Sequence, residues 1–244
     1  MPGSEILFPD LGCNGVSIAV TTRQGGCSSA PFASMNLASH VGDDPRCVAA
    51  NREGLFSKLF SKMNLAAHPV WLDQVHGNAV AVVSDPYTQT LTADASVTTR
   101  PDLPLAILTA DCLPIVMWDE DCFQVAALHA GWRGLANGIM EQGARHFEGK
   151  SVSVWIGPGI GPCHYEVDEA VRENFSSHEA FEMSRPGHYR FDLVAEAKRQ
   201  LRHLGIDDIQ VMQVCTACDE RFYSYRRDGQ TGRFATLVWA RGLR

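Results

Sequence analysis

The stretch LAILTADCLPIVMWDEDCFQVAALHAGWRG, residues 105–134, decides how this chain is read. Leu105–Thr109 and Pro114–Trp118 are apolar runs of buried-strand length, and Phe123–Leu128 is a third, ending at His129. A turn, Gly131-Trp132-Arg133-Gly134, follows, and a helix is expected from Leu135 to about Phe147. Outward from this core, Ser17–Thr22, Asn78–Ser84, Ala95–Thr99, Ser151–Ile156, Ile209–Val214 and Phe234–Trp239 read as further strands. Asp44 and Pro45 give a helix-start signal, and Val48, Arg52, Leu55 and Leu59 recur at helical spacing, so a helix is expected over Pro45 to about Lys62. Asp168 is expected to cap a short helix to about Phe175. Asp192 caps a longer one, with Leu193, Ala197, Leu201 and Leu204 on one face and Gly205 at its end. Phe222-Tyr223-Ser224-Tyr225 reads as a strand running into a polar turn, Arg226–Gly229. Strands and helices intermix without strict βαβ alternation. The expected fold is therefore a single α/β domain over residues 1–244 with a mixed or partly antiparallel sheet.

Composition narrows the function classes. Of 244 residues, 45% are hydrophobic and 20% charged, an ordinary globular balance that excludes disorder as the main state. Lys and Arg total 21 against 28 Asp and Glu, a net charge of −7. An acidic surface disfavours nucleic-acid polymers and anionic membranes, whose phosphates need a basic face, but leaves room for a small anion held by local arginines. The most apolar stretch, Leu103–Trp118, contains Asp111 and is shorter than the ~20 residues of a spanning helix. Met1–Asp10 has no basic segment followed by an apolar one, so no leader is expected. Eight cysteines spread over a chain with an ample core read as reduced thiols in a cytoplasmic protein, where a cysteine near histidines is a ligand or a nucleophile.

Three residues end apolar runs where a scaffold presents functional side chains: His76 in Gln74-Val75-His76-Gly77, Cys112 in Ala110-Asp111-Cys112, and His129. Two imidazoles and a thiolate are suitable zinc ligands, and three protein donors leave a fourth place open. Other readings stand beside this one. A cysteine among apolar strands is ordinarily a small buried hydrophobe, the separations match no local zinc signature, and Cys112–His129 would also serve as a metal-free nucleophile–base pair. Arg133, at the start of a helix beside Gly131, and Arg23, beside Gly25-Gly26, are candidate anion contacts, or solvated charges. Gly157-Pro158-Gly159-Ile160-Gly161-Pro162 is a rigid turn rather than a dinucleotide loop, because the prolines remove two donors. Cys163-His164-Tyr165 follows it, facing the same pocket or merely packed. Cys215-x-x-Cys218 is redox-active, half a zinc site, or structural, and without a second such pair structural cysteines are expected. Arg226 and Arg227 reach substrate or solvent.

These segments, in this order, resemble the YfiH family, also called the laccase-domain or multicopper polyphenol oxidase family. The resemblance rests on Thr21–Gly26, Asn36–Asp43, Gln74–Gly77, Ala93-Asp94-Ala95, Thr109–Cys112, His129–Gly134, Ile156–Val167 and Tyr225–Gly229, and spans about Val16 to Trp239. It implies a single-domain α/β sandwich similar to the cytotoxic-necrotizing-factor catalytic domain, with His76, Cys112 and His129 as zinc ligands. The implied activity is purine nucleoside phosphorolysis of adenosine, inosine, guanosine and methylthioadenosine, with adenosine deamination beside it. Arg133, Arg23, Arg227, Cys163 and His164 would then contact substrate or phosphate. Cys112 and His129 would take part in the chemistry, and Asp94 or Asp111 would shuttle a proton. An alternative within the family is an editing hydrolase that removes a misincorporated serine from a nucleotide-linked wall precursor. A second is copper-binding polyphenol oxidation, although the chain has no His-x-His pair; copper competes for thiolate–imidazole sites in any case. The expected partners are purine nucleosides and inorganic phosphate, with the chain a monomer or a weak homo-oligomer.

Overall fold

The computed structural model describes residues 6–13, 15–63, 65, 67–85 and 90–242. The reading of Met1–Asp10 as leaderless falls partly outside them. The first half of the chain runs β1 (Ile6–Leu7), β2 (Val16–Thr21), α1 (Pro45–Met63), β3 (Leu72–Asp73), β4 (Val80–Val82), β5 (Leu91–Thr92), β6 (Ala95–Thr98), β7 (Leu105–Thr109) and β8 (Leu113–Asp119). Then come β9 (Val125–Ala130), α2 (Trp132–Ala136), α3 (Ile139–Ala144), β10 (Val152–Ile156), β11 (Glu166–Asp168) and α4 (Glu169–Arg172). The last elements are β12 (Phe181–Arg185), β13 (His188–Phe191), α5 (Leu193–His203), β14 (Asp208–Val211), α6 (Tyr225–Asp228) and β15 (Phe234–Ala240).

Two sheets face each other. One is four-stranded and antiparallel, in the order β1-β2-β15-β7. The other is six-stranded and mixed, in the order β14-β10-β8-β9-β6-β4, with parallel pairs only at its two margins. Strand alternation distributes the apolar side chains between layers. Ile18, Val20, Val116, Trp118 and Val238 fill the space between the sheets. Ala19, Leu108, Leu237 and Trp239 point the other way, onto Leu55 and Leu59 of α1. Ile115, Met117 and Leu128 leave the far side of the six-stranded sheet and meet Leu135, Ile139 and Leu201 of the helical layer. Both faces of the central strands are therefore covered, which is why they read as unbroken apolar runs.

Two local expectations are corrected. The helix from Leu135 to Phe147 is broken: Gly138 sits at φ +80° between α2 and α3, and residues 145–147 close as a 3₁₀ turn. Phe222–Tyr225 is not a strand. Ser224 is an N-cap whose Oγ accepts from the Arg227 N–H, and the short helix α6 takes the place of the polar turn. Beyond the expected strands, a hairpin, β12–β13, turns at Pro186-Gly187, with Gly187 at φ +74°.

The tight connection between β8 and β9 depends on one buried carboxylate. Asp119 accepts from the Phe123 and Gln124 N–H groups at 2.8 and 3.0 Å and from Lys150 Nζ at 2.7 Å. Burial works against its charge, but these donors outweigh burial and hold its pKa below the ordinary value. Asp119→Ala leaves three donors without their acceptor, so we expect a loss of about 2–3 kcal/mol in urea unfolding. Because the folded pKa is depressed, this stabilisation is present above the ordinary carboxylate range and is lost as pH falls through the folded value. The gap between wild type and variant should therefore narrow in acid.

Candidate metal centre

Two loops and the end of a strand meet at one point of the sandwich. His76 lies between β3 and β4, Cys112 between β7 and β8, and His129 near the end of β9. One ligand atom from each falls within 4.8 Å of the others. The two imidazole rings meet edge to face, with centroids 4.8 Å apart. Because β7 belongs to one sheet and β8 to the other, the Cys112 loop crosses between the two sheets.

Asp94 organises this arrangement. It is fully buried and accepts from three successive backbone N–H groups, those of Val75, His76 and Gly77, at 3.1, 2.9 and 2.6 Å. Gathering these donors on one carboxylate bends the segment and places His76 at φ +61°, a left-handed conformation that a non-glycine residue adopts only under such constraint. The same carboxylate lies 2.8 Å from His129 Nδ1. That contact holds a hydrogen on Nδ1, so Nε2 is the nitrogen that would bind a metal in place of its proton, the carboxylate–histidine pairing found behind metal ligands. Cys112 is preceded by a second left-handed residue, Asp111, at φ +92°. Asp111 accepts from Thr216 Oγ1 at 2.6 Å and from the Arg226 N–H at 2.7 Å, while its carbonyl accepts from the Ile160 N–H.

Electrostatics favour an anionic thiolate. Burial alone would push the Cys112 thiol up, but the His129 charge and hydrogen bonding to both histidines prevail and bring it to about 6. Burial likewise opposes charge on His129, yet the Cys112 thiolate and Asp94 raise it to about 9. A deprotonated sulfur and two imidazoles around one point, with the exposed His76 on the solvent side, form a donor set that fits a metal ion with one position left open. Space at this point is limited by Gly131: a Cβ there would lie 2.7 Å from Cys112 Sγ and 3.5 Å from His76 Cδ2. Gly131→Ala should displace the thiolate and weaken metal affinity by about tenfold or more, on the scale of other perturbations of ligand support. Competition with a chromophoric chelator measures this.

The remaining candidates divide. Arg133 is exposed and lies over the Trp132 ring at 4.4 Å, on a helix much shorter than expected. Arg23 turns elsewhere, donating to the Ala33 carbonyl at 3.2 Å and pairing with Asp228 at 3.4 Å. Arg227 spends its guanidinium on Asp228 and on the Thr216 and Phe222 carbonyls at 2.8–2.9 Å. Arg23 and Arg227 line a shared depression with Glu220 and Gln24. Cys163 and His164 are brought to Cys215 and Cys218 instead.

Two residues near the centre, Arg233 and His40, escaped the sequence reading, while Tyr165 closes the Cys163-His164-Tyr165 segment expected either to face a pocket or to pack. Arg233 is half-buried; burial lowers its pKa, and the Cys112 and Asp111 charges oppose that effect. The His40 pKa is lowered, by desolvation first and then by Arg233, with His76 also acting on it. The half-buried Tyr165 phenol is pushed up by burial and next by Cys112, and the charges of Arg226 and Arg133 also reach it. His40 lies in the Asn36–Asp43 segment that carried the resemblance. Arg233 gave no signal, because an arginine opening a strand reads as a solvated end.

Comparisons with known proteins agree with this architecture. Residues 17–241 match the family described as multi-copper polyphenol oxidoreductase laccase. Purine nucleoside phosphorylase PA4543 of Pseudomonas aeruginosa is 45% identical over 233 residues, covering 92% of this chain and 93% of the relative. Purine nucleoside phosphorylase YfiH of Escherichia coli is 39% identical, covering 92% and 94%. Among solved structures, Neisseria meningitidis protein NMB0706 superposes with a TM-score of 0.89 at 34% identity, covering 97% of this chain and 99% of that one. Matched in sequence and in fold over nearly its whole length, the chain belongs to the multi-copper polyphenol oxidoreductase laccase family, which includes the YfiH proteins.

Proposed function

We propose that this chain is a zinc-dependent purine nucleoside phosphorylase, with adenosine deamination as a second capacity of the same site. The observation that carries the reading is the three-donor cluster of His76, Cys112 and His129, accessible from the His76 side, with the Cys112 charge acting on Arg233. Relatives named purine nucleoside phosphorylase support the reaction class. Two imidazoles and one thiolate suit zinc, and copper would compete for them. When bound, zinc would supply Lewis acidity toward an oxygen of substrate or water.

In phosphorolysis the N9–C1′ bond of the nucleoside breaks, a phosphate oxygen bonds to C1′, and the purine leaves with a proton. Arg133 and Arg233 supply positive charge for the incoming phosphate. Tyr165 stacks on Phe191 with Arg226 over its ring, so it acts as packing beside the site rather than as a face for the base. Asp94 holds His76 and His129 in place. Its oxygens already accept four donors, and both oxygens of Asp111 are engaged, so each fits a positioning role better than that of a proton shuttle.

Zinc-loaded protein incubated with inosine, adenosine, guanosine or methylthioadenosine and inorganic phosphate is expected to release free base and the ribose 1-phosphate in equal amounts, and only with phosphate present. Ammonia release from adenosine reads the deaminase capacity separately. Base release independent of phosphate would sink the phosphorylase reading. Serine release from the mis-made wall precursor, much faster than nucleoside turnover, would put the editing hydrolase in its place.

A further inference from the structure

Away from the first cluster, three thiols and an imidazole converge from two loops. Cys163 and His164 follow the rigid turn after β10, and Cys215 and Cys218 lie after β14. The two loops are tied by the bridge between Gly159 and Cys215. Cys163 Sγ lies 3.6 Å from Cys215 Sγ and 3.7 Å from Cys218 Sγ. His164 Nδ1 lies 3.3 Å from Cys163 Sγ, 3.4 Å from Cys218 Sγ and 4.0 Å from Cys215 Sγ. All four donor atoms fall within 4.8 Å of one another.

These separations can be compared with a coordination polyhedron. With zinc–sulfur bonds of about 2.3 Å and zinc–nitrogen bonds of about 2.0–2.1 Å, a regular tetrahedron has edges of about 3.8 Å between sulfurs and about 3.5 Å between sulfur and nitrogen. The observed sulfur–sulfur distances fall just below the first value, and the sulfur–nitrogen distances bracket the second. The sulfurs are too far apart for a disulfide, and all eight cysteines of the chain carry free thiols. The Gly161 N–H donates to Cys215 Sγ at 3.2 Å, the kind of outer contact that supports a metal-bound thiolate.

We propose that Cys163, His164, Cys215 and Cys218 form a second metal centre, a closed zinc site that pins the loop of residues 157–165 to the turn at Cys215–Cys218. Cys215-x-x-Cys218 is one half, and Cys163-His164 is the other half that the sequence alone could not pair with it. Four protein donors leave no open position, so the site is structural rather than catalytic. Both loops bear on Asp111, through the Ile160 N–H and Thr216 Oγ1, so the metal would steady the segment that presents Cys112. Three of the four residues are exposed, which makes this metal accessible to chelators.

The test is zinc content by elemental analysis, on wild type and on Cys112→Ala and Cys215→Ser/Cys218→Ser variants reconstituted with zinc and dialysed. Wild type should hold about twice the zinc of either variant, each keeping the other site. Cobalt(II) bound to Cys112→Ala should still give intense thiolate-to-metal charge transfer, since three thiolates remain at the second site. This readout does not need the serine variant to fold and does not depend on any activity. Equal zinc in wild type and the serine variant, absence of charge transfer in Cys112→Ala, or a Cys163–Cys218 disulfide in the purified protein would overturn the proposal.

Discussion

Cys112→Ala should abolish nucleoside phosphorolysis while leaving a folded protein. Cys112 supplies the only sulfur of the first cluster, and its thiolate is the anion around which His76 and His129 are arranged. Removing a member of such a unit is felt as a loss of roughly 10³-fold or more in turnover. The side chain is only half-buried and small, so the stability change should stay within about 1 kcal/mol. Steady-state assays with inosine and phosphate, beside thermal unfolding, check both parts. Activity within a fewfold of wild type would remove Cys112 from the chemistry.

Asp94→Asn should be the most damaging of the conservative changes. The carboxylate serves three backbone donors and one imidazole with no exposure to solvent. An amide presents one oxygen where two are needed and turns an N–H₂ toward groups that already donate. The expected cost is about 3 kcal/mol, the scale for breaking a buried charged network. Metal affinity should fall by about 10- to 100-fold, because His129 loses the partner that fixes its ring and His76 loses its backbone restraint. Unfolding with and without zinc separates the two effects. A variant that melts like wild type and binds zinc unchanged would show that Asp94 is incidental.

The residues that sequence reasoning found and those it missed differ for a physical reason. The paired sheets were legible because Leu105–Thr109, Pro114–Trp118 and Val125–Leu128 are covered on both faces and so carry continuous apolar runs, whereas Phe123 is exposed and lies before its strand. His76, Cys112 and His129 stood out as chemistry-bearing residues at the ends of such runs. Their convergence did not follow from spacing, since it depends on a crossing between two sheets. Tyr225–Asp228 misled because Phe222-Tyr223-Ser224-Tyr225 has strand composition, whereas one hydroxyl at Ser224 starts a helix. Arg23 and Arg227 looked available because a sequence shows charges but not their partners; Asp228 engages both. Cys163-His164 and Cys215-x-x-Cys218 are far apart along the chain, and the parallel pairing of β10 with β14, continued by the bridge from Gly159 to Cys215, brings them together.

The central claim is that His76, Cys112 and His129 hold a metal with one open position facing a nucleoside. Crystals of zinc-loaded protein soaked with inosine, with diffraction recorded at the zinc absorption edge, test it most directly. An anomalous peak bonded to Cys112 Sγ and to one nitrogen of each of His76 and His129 is expected, with the ribose at the fourth position and the phosphate side toward Arg133 and Arg233. A metal closed by a fourth protein donor, or a nucleoside bound away from this point, would contradict it.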